Sequence, residues 1–259
     1  MSMIYLFENT ALSEMRNFID QNTLLAFDLD GTLAPIVPEP CEMSIPASIR
    51  KEFSLLNQRA TVAVITGRSR SAAGLHLGVT PAYLIGNHGA EGLPGWEERE
   101  KEFVRTIEKW QSQLEILLPN EIRNGIFLEN KGTTFSIHYR HANKINASHT
   151  LILRAIDRLS PQPRLIGGKY IENLIPRNAP DKGMALKLLM QHAGHTKGFF
   201  AGDDETDEDV FRIQDNNFFT VRVGRKKSSK AKFYLRDQGE ITRLLSETNA
   251  ILDQNAHRF

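Results

Sequence analysis

The chain lacks most of the features that mark a specialised class of protein. It has one cysteine, Cys41, in 259 residues, so no disulfide can form within the chain, and a reducing cytosol is the compartment that fits. It has no excess of charge: 32 basic residues against 31 acidic ones leave a net +1, and no global field recruits nucleic acid or membrane. The opening stretch "MSMIYLFENTALSEMRNF" has neither a charged start nor a long apolar run, so no signal peptide and no membrane span are expected. Asn146-Ala-Ser matches a glycosylation acceptor that a cytosolic protein does not use. No stretch marks an interface, and a monomer is expected. One basic cluster, Arg222 to Lys232 ("RVGRKKSSKAK"), is expected to be a solvated loop. What remains is ordinary globular composition, 41% apolar and 24% charged, in a chain long enough for one large or two modest domains with a real core.

Short apolar runs alternate with amphipathic stretches in the first third. "LLAFDL" (24–29), "TVAVIT" (61–66) and "AYLIGN" (82–87) predict strands, with a helix at "PASIRKEFSLLNQ" between the first two. Their hydrophobicity is continuous rather than alternating, which predicts strands covered on both faces, as in a parallel α/β sheet. The same grammar returns near the end, with a helix at "DKGMALKLLMQHAG", strands at "KGFFAG" and "FFTVRVG", and a closing helix at "GEITRLLSETNAIL". The middle differs. Phe103, Ile107, Trp110, Leu114 and Leu117 share one helical face, and "GIFLENKGTTFSIHYR" predicts a hairpin around Lys131-Gly132. There Phe135, Ile137 and Tyr139 alternate with Ser136, His138 and Arg140, the pattern of a half-buried antiparallel strand. A second helix (144–159), with Leu151, Ala155 and Leu159 in register, leads to a second hairpin turning at Gly167-Gly168. The expectation is an insert over 93–178, an antiparallel sheet with two helices on one face, within a core formed by 1–92 and 179–259.

Chemistry concentrates at two strand ends. Six of the seven residues from Asp203 to Asp209 in "GDDETDEDVF" are acidic. A solvated helix start accounts for Glu205, Glu208 and Asp209, because acids favour the positive end of the helix dipole. It does not account for acids directly after Gly202, whereas a cation held there does. "FDLDGT" (27–32) supplies the other half: Asp28 and Asp30 are two apart, so on a strand both point to one side, and Gly31 permits a tight turn. Sites in open α/β sheets form at the carboxyl ends of strands, which brings Asp28, Asp30 and Asp203 together. Magnesium, a hard ion that takes one or two carboxylates and substrate phosphate, suits such a set. Thr66-Gly67 after its strand offers a hydroxyl and an N–H to phosphate oxygens, and Lys182 at a helix start offers a cation. Singly, the first is an ordinary turn and the second an ordinary solvated lysine. In this order and strand context they form a specific set.

"DLDGT", "ITGR", "DKG" and "GDDETDE" resemble the four motifs of the haloacid dehalogenase superfamily of phosphotransferases. The insert resembles that superfamily's larger α/β cap, which carries substrate specificity. "GNHGAE" (86–91), "LENKGTTFSIHYR" (128–140) and "GDDETDEDVF" resemble the trehalose-6-phosphate phosphatases. The resemblance implies a Rossmann-like α/β core with a parallel sheet, an inserted α+β cap, and magnesium-dependent hydrolysis of trehalose 6-phosphate. Asp28 is then the nucleophile that forms an aspartyl-phosphate, and Asp30 protonates the departing sugar oxygen and later deprotonates water. Magnesium is held by Asp28, the Asp30 carbonyl and Asp203. Thr66, Gly67 and Lys182 stabilise phosphoryl oxygens, Asp207 orients Lys182, and Asp204 touches the metal through water.

In the cap, Glu129 and Lys131 are candidate sugar ligands, or else a charged turn. His138 and Arg140 are candidates too, or else sheet-surface residues. His88 is a structural residue of its turn with some claim on the substrate, and Arg68 is a candidate phosphate contact. The family usually has a Glu three residues before a Pro in the last cap strand. Here Asn173 stands three before Pro176 and Glu172 four before. A one-residue shift exchanges strand faces, so either the strand carries a bulge or Asn173 replaces the Glu. Two other functions fit the pattern less closely: hydrolysis of another sugar phosphate, such as sucrose phosphate or a mannosyl-phosphoglycerate, and a non-catalytic domain that binds sugar phosphate and regulates a synthase. The intact Asp28, Asp30, Lys182 and Asp203 argue against the second.

Overall fold

The computed structural model describes residues 3–37 and 42–256; Cys41 lies outside them. The chain forms two compact units, Met1–Pro94 with Pro180–Phe259, and Gly95–Ala179. The insert expected at 93–178 therefore begins two residues later and ends one residue later.

The first unit opens with β1 (Ile4–Tyr5) and α1 (Asn9–Phe18), then runs through β2 (Thr23–Phe27), α2 (Ala47–Arg59), β3 (Val62–Ile65), α3 (Arg70–Leu77) and β4 (Tyr83–Ile85). The second unit holds α4 (Glu97–Leu117), β5 (Phe127–Asn130), β6 (Phe135–His138), α5 (Ile145–Ile156), β7 (Arg164–Gly168) and β8 (Ile171–Ile175). The chain then returns to the first unit with α6 (Lys182–Ala193), β9 (Lys197–Gly202), α7 (Glu208–Phe211), β10 (Phe218–Val223), β11 (Phe233–Leu235) and α8 (Ile241–Ala256).

The seven strands of the first unit lie in the order β1-β11-β10-β9-β2-β3-β4, and every pairing is parallel. All residues of β2 and β3 are buried, which is why those strands are apolar without alternation. Phe27, Phe199, Phe219 and Phe233 run across the sheet within one apolar cluster that also contains Phe53 of α2 and Leu244 of α8. From β2 the chain builds outward to β3 and β4, and the return builds outward on the other flank through β9, β10 and β11. The reversal of direction lies between β2 and β9, and the crevice beyond their carboxyl ends is where ligands of such sheets bind.

The second unit is an antiparallel sheet in the order β5-β6-β8-β7. Phe135, Ile137 and Leu174 pack in one cluster with Ile107, Trp110 and Leu114 of α4 and with Ile152, Ala155 and Ile156 of α5. Two details differ from expectation. On α5 the buried stripe is Ile152, Ala155 and Ile156, whereas Leu151 is exposed, because the helix seats the i, i+3, i+4 set that faces the sheet. The second hairpin turns at Lys169-Tyr170, where Tyr170 has φ 64°, while Gly167 and Gly168 remain paired in β7. Gly168 serves close packing instead: a β-carbon there would lie 2.7 Å from the Ile171 side chain. No helix among the described residues is long and apolar enough to cross a membrane.

Candidate active site

The β2 strand ends at Phe27, and the next residue, Asp28, donates its N–H to the Ala201 carbonyl of β9 at 2.9 Å. That bond fixes the ends of the two central strands side by side. Asp203 follows directly on β9. Gly31, at φ 78°, turns the chain beneath it; a β-carbon there would sit 2.2 Å from Asp203 Oδ2, so only glycine fits. Gly202 is bound the same way to Asp207, whose Cγ would be 2.3 Å from an added β-carbon.

Lys182 is the first residue of α6. Asp181 caps that helix, accepting the Met184 N–H at 2.7 Å, and the start so defined buries the Lys182 side chain to 2% exposure. Its Nζ donates to Asp28 Oδ1 and to Asp207 Oδ1, each at 2.8 Å. Burial disfavours the ammonium, but Asp207 and Asp28 outweigh it and hold its pKa above the ordinary value. Asp207 Oδ2 also accepts the Asp204 N–H at 2.8 Å, so both its oxygens are engaged. Burial, helped by Asp207 and Asp204, pushes the Asp203 carboxyl up to about 7. Burial also pushes Asp28 well above the usual carboxylate range, against the pull of Lys182.

Among the described residues, Asp28, Asp203 and Asp207 form one group with a carboxylate oxygen apiece within 4.8 Å of one another. Three largely buried acids around one ammonium are a donor set short of positive charge. Hard oxygen ligands of this kind fit magnesium. With both Asp207 oxygens already taken, Asp28 and Asp203 keep the oxygens that can turn to a cation.

This arrangement corrects one expectation. The Asp30 carboxylate does not join Asp28 and Asp203. The strand is over by Phe27, so strand alternation no longer directs Asp30, which lies in the turn at Gly31. Its two oxygens accept a fork from Arg68, Nε to Oδ2 and a terminal nitrogen to Oδ1, each at 2.7 Å. The Asp30 hydrogen bond raises the Arg68 pKa further. Thr66 and Gly67 stand at the end of β3, with Thr66 buried and its Oγ1 accepting the Arg68 N–H at 3.2 Å. His88, in left-handed backbone geometry at φ 60°, donates its N–H to the Thr66 carbonyl. Its ring lies against Gly67, where a β-carbon would be 2.4 Å from Cε1. Asn87 and the Arg70 N–H share Glu91 Oε2, which holds that turn.

One residue escaped the sequence reading. Arg222, placed there in a solvated basic loop, is 6% exposed in β10. Its guanidinium donates to the Asp203 and Asp204 carbonyls and pairs with buried Glu208 at 3.1 Å. The signal was present: an arginine inside the apolar run "FFTVRV" has no solvated side to face.

In the second unit, Glu129 Oε2 contacts His138 Nε2 at 2.8 Å and Lys131 Nζ at 3.7 Å, and the His138 hydrogen bond leads in lowering the Glu129 pKa. Arg140 lies beyond the end of β6 and is exposed. The register question has a clear geometry. Pairing through β8 runs unbroken from Ile171 to Ile175, with Asn173 opposite Ser136 and Ser136 opposite Glu129. Directly paired residues share a face, so Asn173 stands with Glu129 and His138. Asn173 Oδ1 accepts from Ser136 Oγ at 2.7 Å. Glu172 takes the helix-covered face instead, where it meets His149 Nε2 of α5 at 2.8 Å. Glu172 is therefore removed from the candidate sugar ligands, and no bulge restores it.

The family model described as Trehalose-phosphatase matches residues 26–238. The trehalose-6-phosphate phosphatase of Escherichia coli (strain K12) is 33% identical over 208 residues, covering 76% of this chain and 76% of that protein. The probable trehalose-phosphate phosphatase G of Arabidopsis thaliana is 27% identical over 250 residues, covering 84% of this chain; the chain spans 66% of the plant protein's length. Among solved structures, that of a trehalose-6-phosphate phosphatase related protein superposes with a TM-score of 0.68 at 25% identity, covering 89% of this chain and 99% of that one.

Proposed function

The chain belongs to the trehalose-phosphatase family, and from that premise we propose that it is a magnesium-dependent phosphatase that hydrolyses trehalose 6-phosphate to trehalose and phosphate. The observation that carries this reading is the buried set at the β2 and β9 strand ends: Asp28 with one oxygen held by Lys182, and Asp203 beside it at the point where the sheet reverses direction. A bound magnesium supplies positive charge for the phosphoryl oxygens, and the residues proposed to hold it are Asp28, the Asp30 carbonyl and Asp203, with Asp204 through water.

Asp28 attacks phosphorus with the oxygen that Lys182 leaves free, and forms an aspartyl-phosphate. The Lys182 ammonium, itself fixed by Asp207, aligns that carboxylate and then neutralises phosphoryl oxygens. The Thr66 hydroxyl and the Gly67 N–H donate to the same oxygens, where phosphoryl transfer most needs help. Asp30 gives a proton to the departing sugar oxygen and takes one from the water that cleaves the intermediate. His88 keeps the Thr66-Gly67 turn in place. Arg222 plays the same part for the main chain of Asp203 and Asp204. In the second unit, Glu129, Lys131, His138, Arg140 and Asn173 recognise sugar hydroxyls. The protein works as a monomer in the cytosol on a small sugar phosphate, without nucleic-acid or membrane partners.

One observation favours a second reading, hydrolysis of another sugar phosphate: Asn173 occupies the position where the family usually has a Glu. A panel of trehalose 6-phosphate, sucrose phosphate, mannosyl-phosphoglycerate, glucose 6-phosphate and an aryl phosphate, assayed for phosphate release with magnesium and with chelator, decides between them. The expected outcome is fastest release from trehalose 6-phosphate and none in chelator. Release from that sugar no faster than from the aryl ester sinks the substrate assignment.

A further inference from the structure

The Arg68–Asp30 fork has no place in the mechanism above, yet it engages both oxygens of the residue that must face the leaving group. The pair is partly open to solvent, with side-chain exposures of 16% for Arg68 and 36% for Asp30. The Arg68 main chain is tied down on both sides: its N–H donates to Thr66 Oγ1 at 3.2 Å, and its carbonyl accepts the Asn87 N–H at 2.7 Å. Only the side chain is left to move. It springs from the residue next to Gly67, so a phosphoryl group held by Thr66 and Gly67 lies within its reach. Asp28 is also near enough to raise its pKa by charge. A guanidinium presents a rigid fork of N–H donors that fits a carboxylate and a phosphate equally well in shape. A phosphoryl dianion carries more charge and offers one more oxygen than the carboxylate it displaces.

We propose that Arg68 is a phosphate ligand held in reserve by Asp30: when substrate enters, the guanidinium exchanges the Asp30 carboxylate for the phosphoryl oxygens, and both Asp30 oxygens are freed to face the departing group. Arg68 so becomes a device that readies Asp30 only when a phosphoryl group is bound. The inference rests on the phosphatase reading but not on the identity of the sugar.

The test is a thermodynamic cycle on binding of inorganic phosphate to the magnesium-saturated protein, measured by titration calorimetry on wild type, Asp30→Asn, Arg68→Gln and the double variant. Exchange predicts that Asp30→Asn binds phosphate about 10-fold more tightly, because Arg68 no longer has to leave the Asp30 carboxylate, and that Arg68→Gln binds about 10-fold more weakly. In the Arg68→Gln background, Asp30→Asn should change affinity less than about threefold, the residue of simple charge repulsion. Arg68→Lys, which keeps the charge and loses the fork, takes the place of Arg68→Gln if that variant does not fold. An equal gain from Asp30→Asn in both backgrounds overturns the exchange, since repulsion alone then explains it. Unchanged affinity in Arg68→Gln overturns it too, since the fork then stays on Asp30. A wild type that binds no phosphate refutes the phosphate site itself and the parent reading with it, whereas failure of the sugar panel alone leaves the cycle intact.

Discussion

Stripping the divalent cation should leave a protein that loses stability as pH rises, and refilling the site should abolish that slope. The argument turns on Asp203, whose carboxyl is pushed up from 3.8 to about 7, first by burial and then by Asp207 and Asp204. Between those two values the folded cation-free protein holds a proton that the unfolded chain has released. The folded state then binds more protons than the unfolded one, so stability is fullest below 3.8 and is lost as pH rises to about 7. Asp28, pushed up mainly by burial, acts in the same direction. Each decade of proton affinity is worth about 1.36 kcal/mol, so three decades set an upper bound of about 4 kcal/mol; water reaching the partly open carboxylate reduces this to roughly 2. From pH 5 upward about two of those three decades remain to be lost, roughly 1.3 kcal/mol; at about 2–4 °C per kcal/mol for a unit of this size, the melting temperature in chelator should fall by about 3–5 °C between pH 5 and pH 8. A magnesium ion bound there would keep Asp203 ionised in the folded state, so its stabilising effect should be larger at pH 8 than at pH 5. Calorimetric melts across that range, in chelator and in saturating magnesium, read both effects, with Asp203→Asn as the control that should remove most of the slope. Equal melting temperatures in chelator at the two ends, or an undiminished slope in Asp203→Asn, would refute the reasoning.

Three further outcomes are expected. Asp28→Asn should abolish phosphate release while retaining a cooperative melt, because the amide keeps the shape but cannot attack; near-normal turnover removes the nucleophile. Asp207→Ala leaves the buried Lys182 ammonium with one carboxylate and should cost about 3–5 kcal/mol, read as a lowered denaturation midpoint, with a parallel loss of turnover. Glu129→Ala, Lys131→Ala and Asn173→Ala should each lower kcat/KM on trehalose 6-phosphate by roughly 10- to 100-fold while sparing an aryl phosphate, the worth of a hydrogen bond to a charged or buried partner. Glu172→Ala should instead lower stability and affect both substrates alike, since its partner is His149 on the helix face.

Much of this protein was legible without coordinates. The parallel core announced itself because strands covered on both faces must be apolar throughout, and β2 and β3 are. The insert announced itself by switching to alternation at Phe135 and Ile137. The catalytic candidates were legible because their placement is local: Asp28 and Asp203 each lie one residue past a strand, and Gly31 and Gly202 mark where carboxylates crowd the backbone. Lys182 was legible as the first residue of a helix whose cap, Asp181, precedes it.

Only the tertiary structure decided the partners. Asp30 looked like a companion of Asp28 because the strand was assumed to continue; two residues into a turn, it meets Arg68, which is 38 positions away in sequence. Arg222 looked solvated because it begins a basic run, yet parallel pairing of β10 with β9, Arg222 opposite Gly202, carries it inside to the Asp203 and Asp204 carbonyls. The choice between Glu172 and Asn173 was undecidable from one strand, because period-2 alternation says that neighbours face opposite ways but not which way either faces. Pairing with β6, whose Phe135 and Ile137 must bury against α4 and α5, left Asn173 on the face of Glu129 and His138, away from those helices, and Glu172 on the helix side. Composition and spacing determine which chemistry the chain carries; the long-range register of packed elements determines which side chains share it.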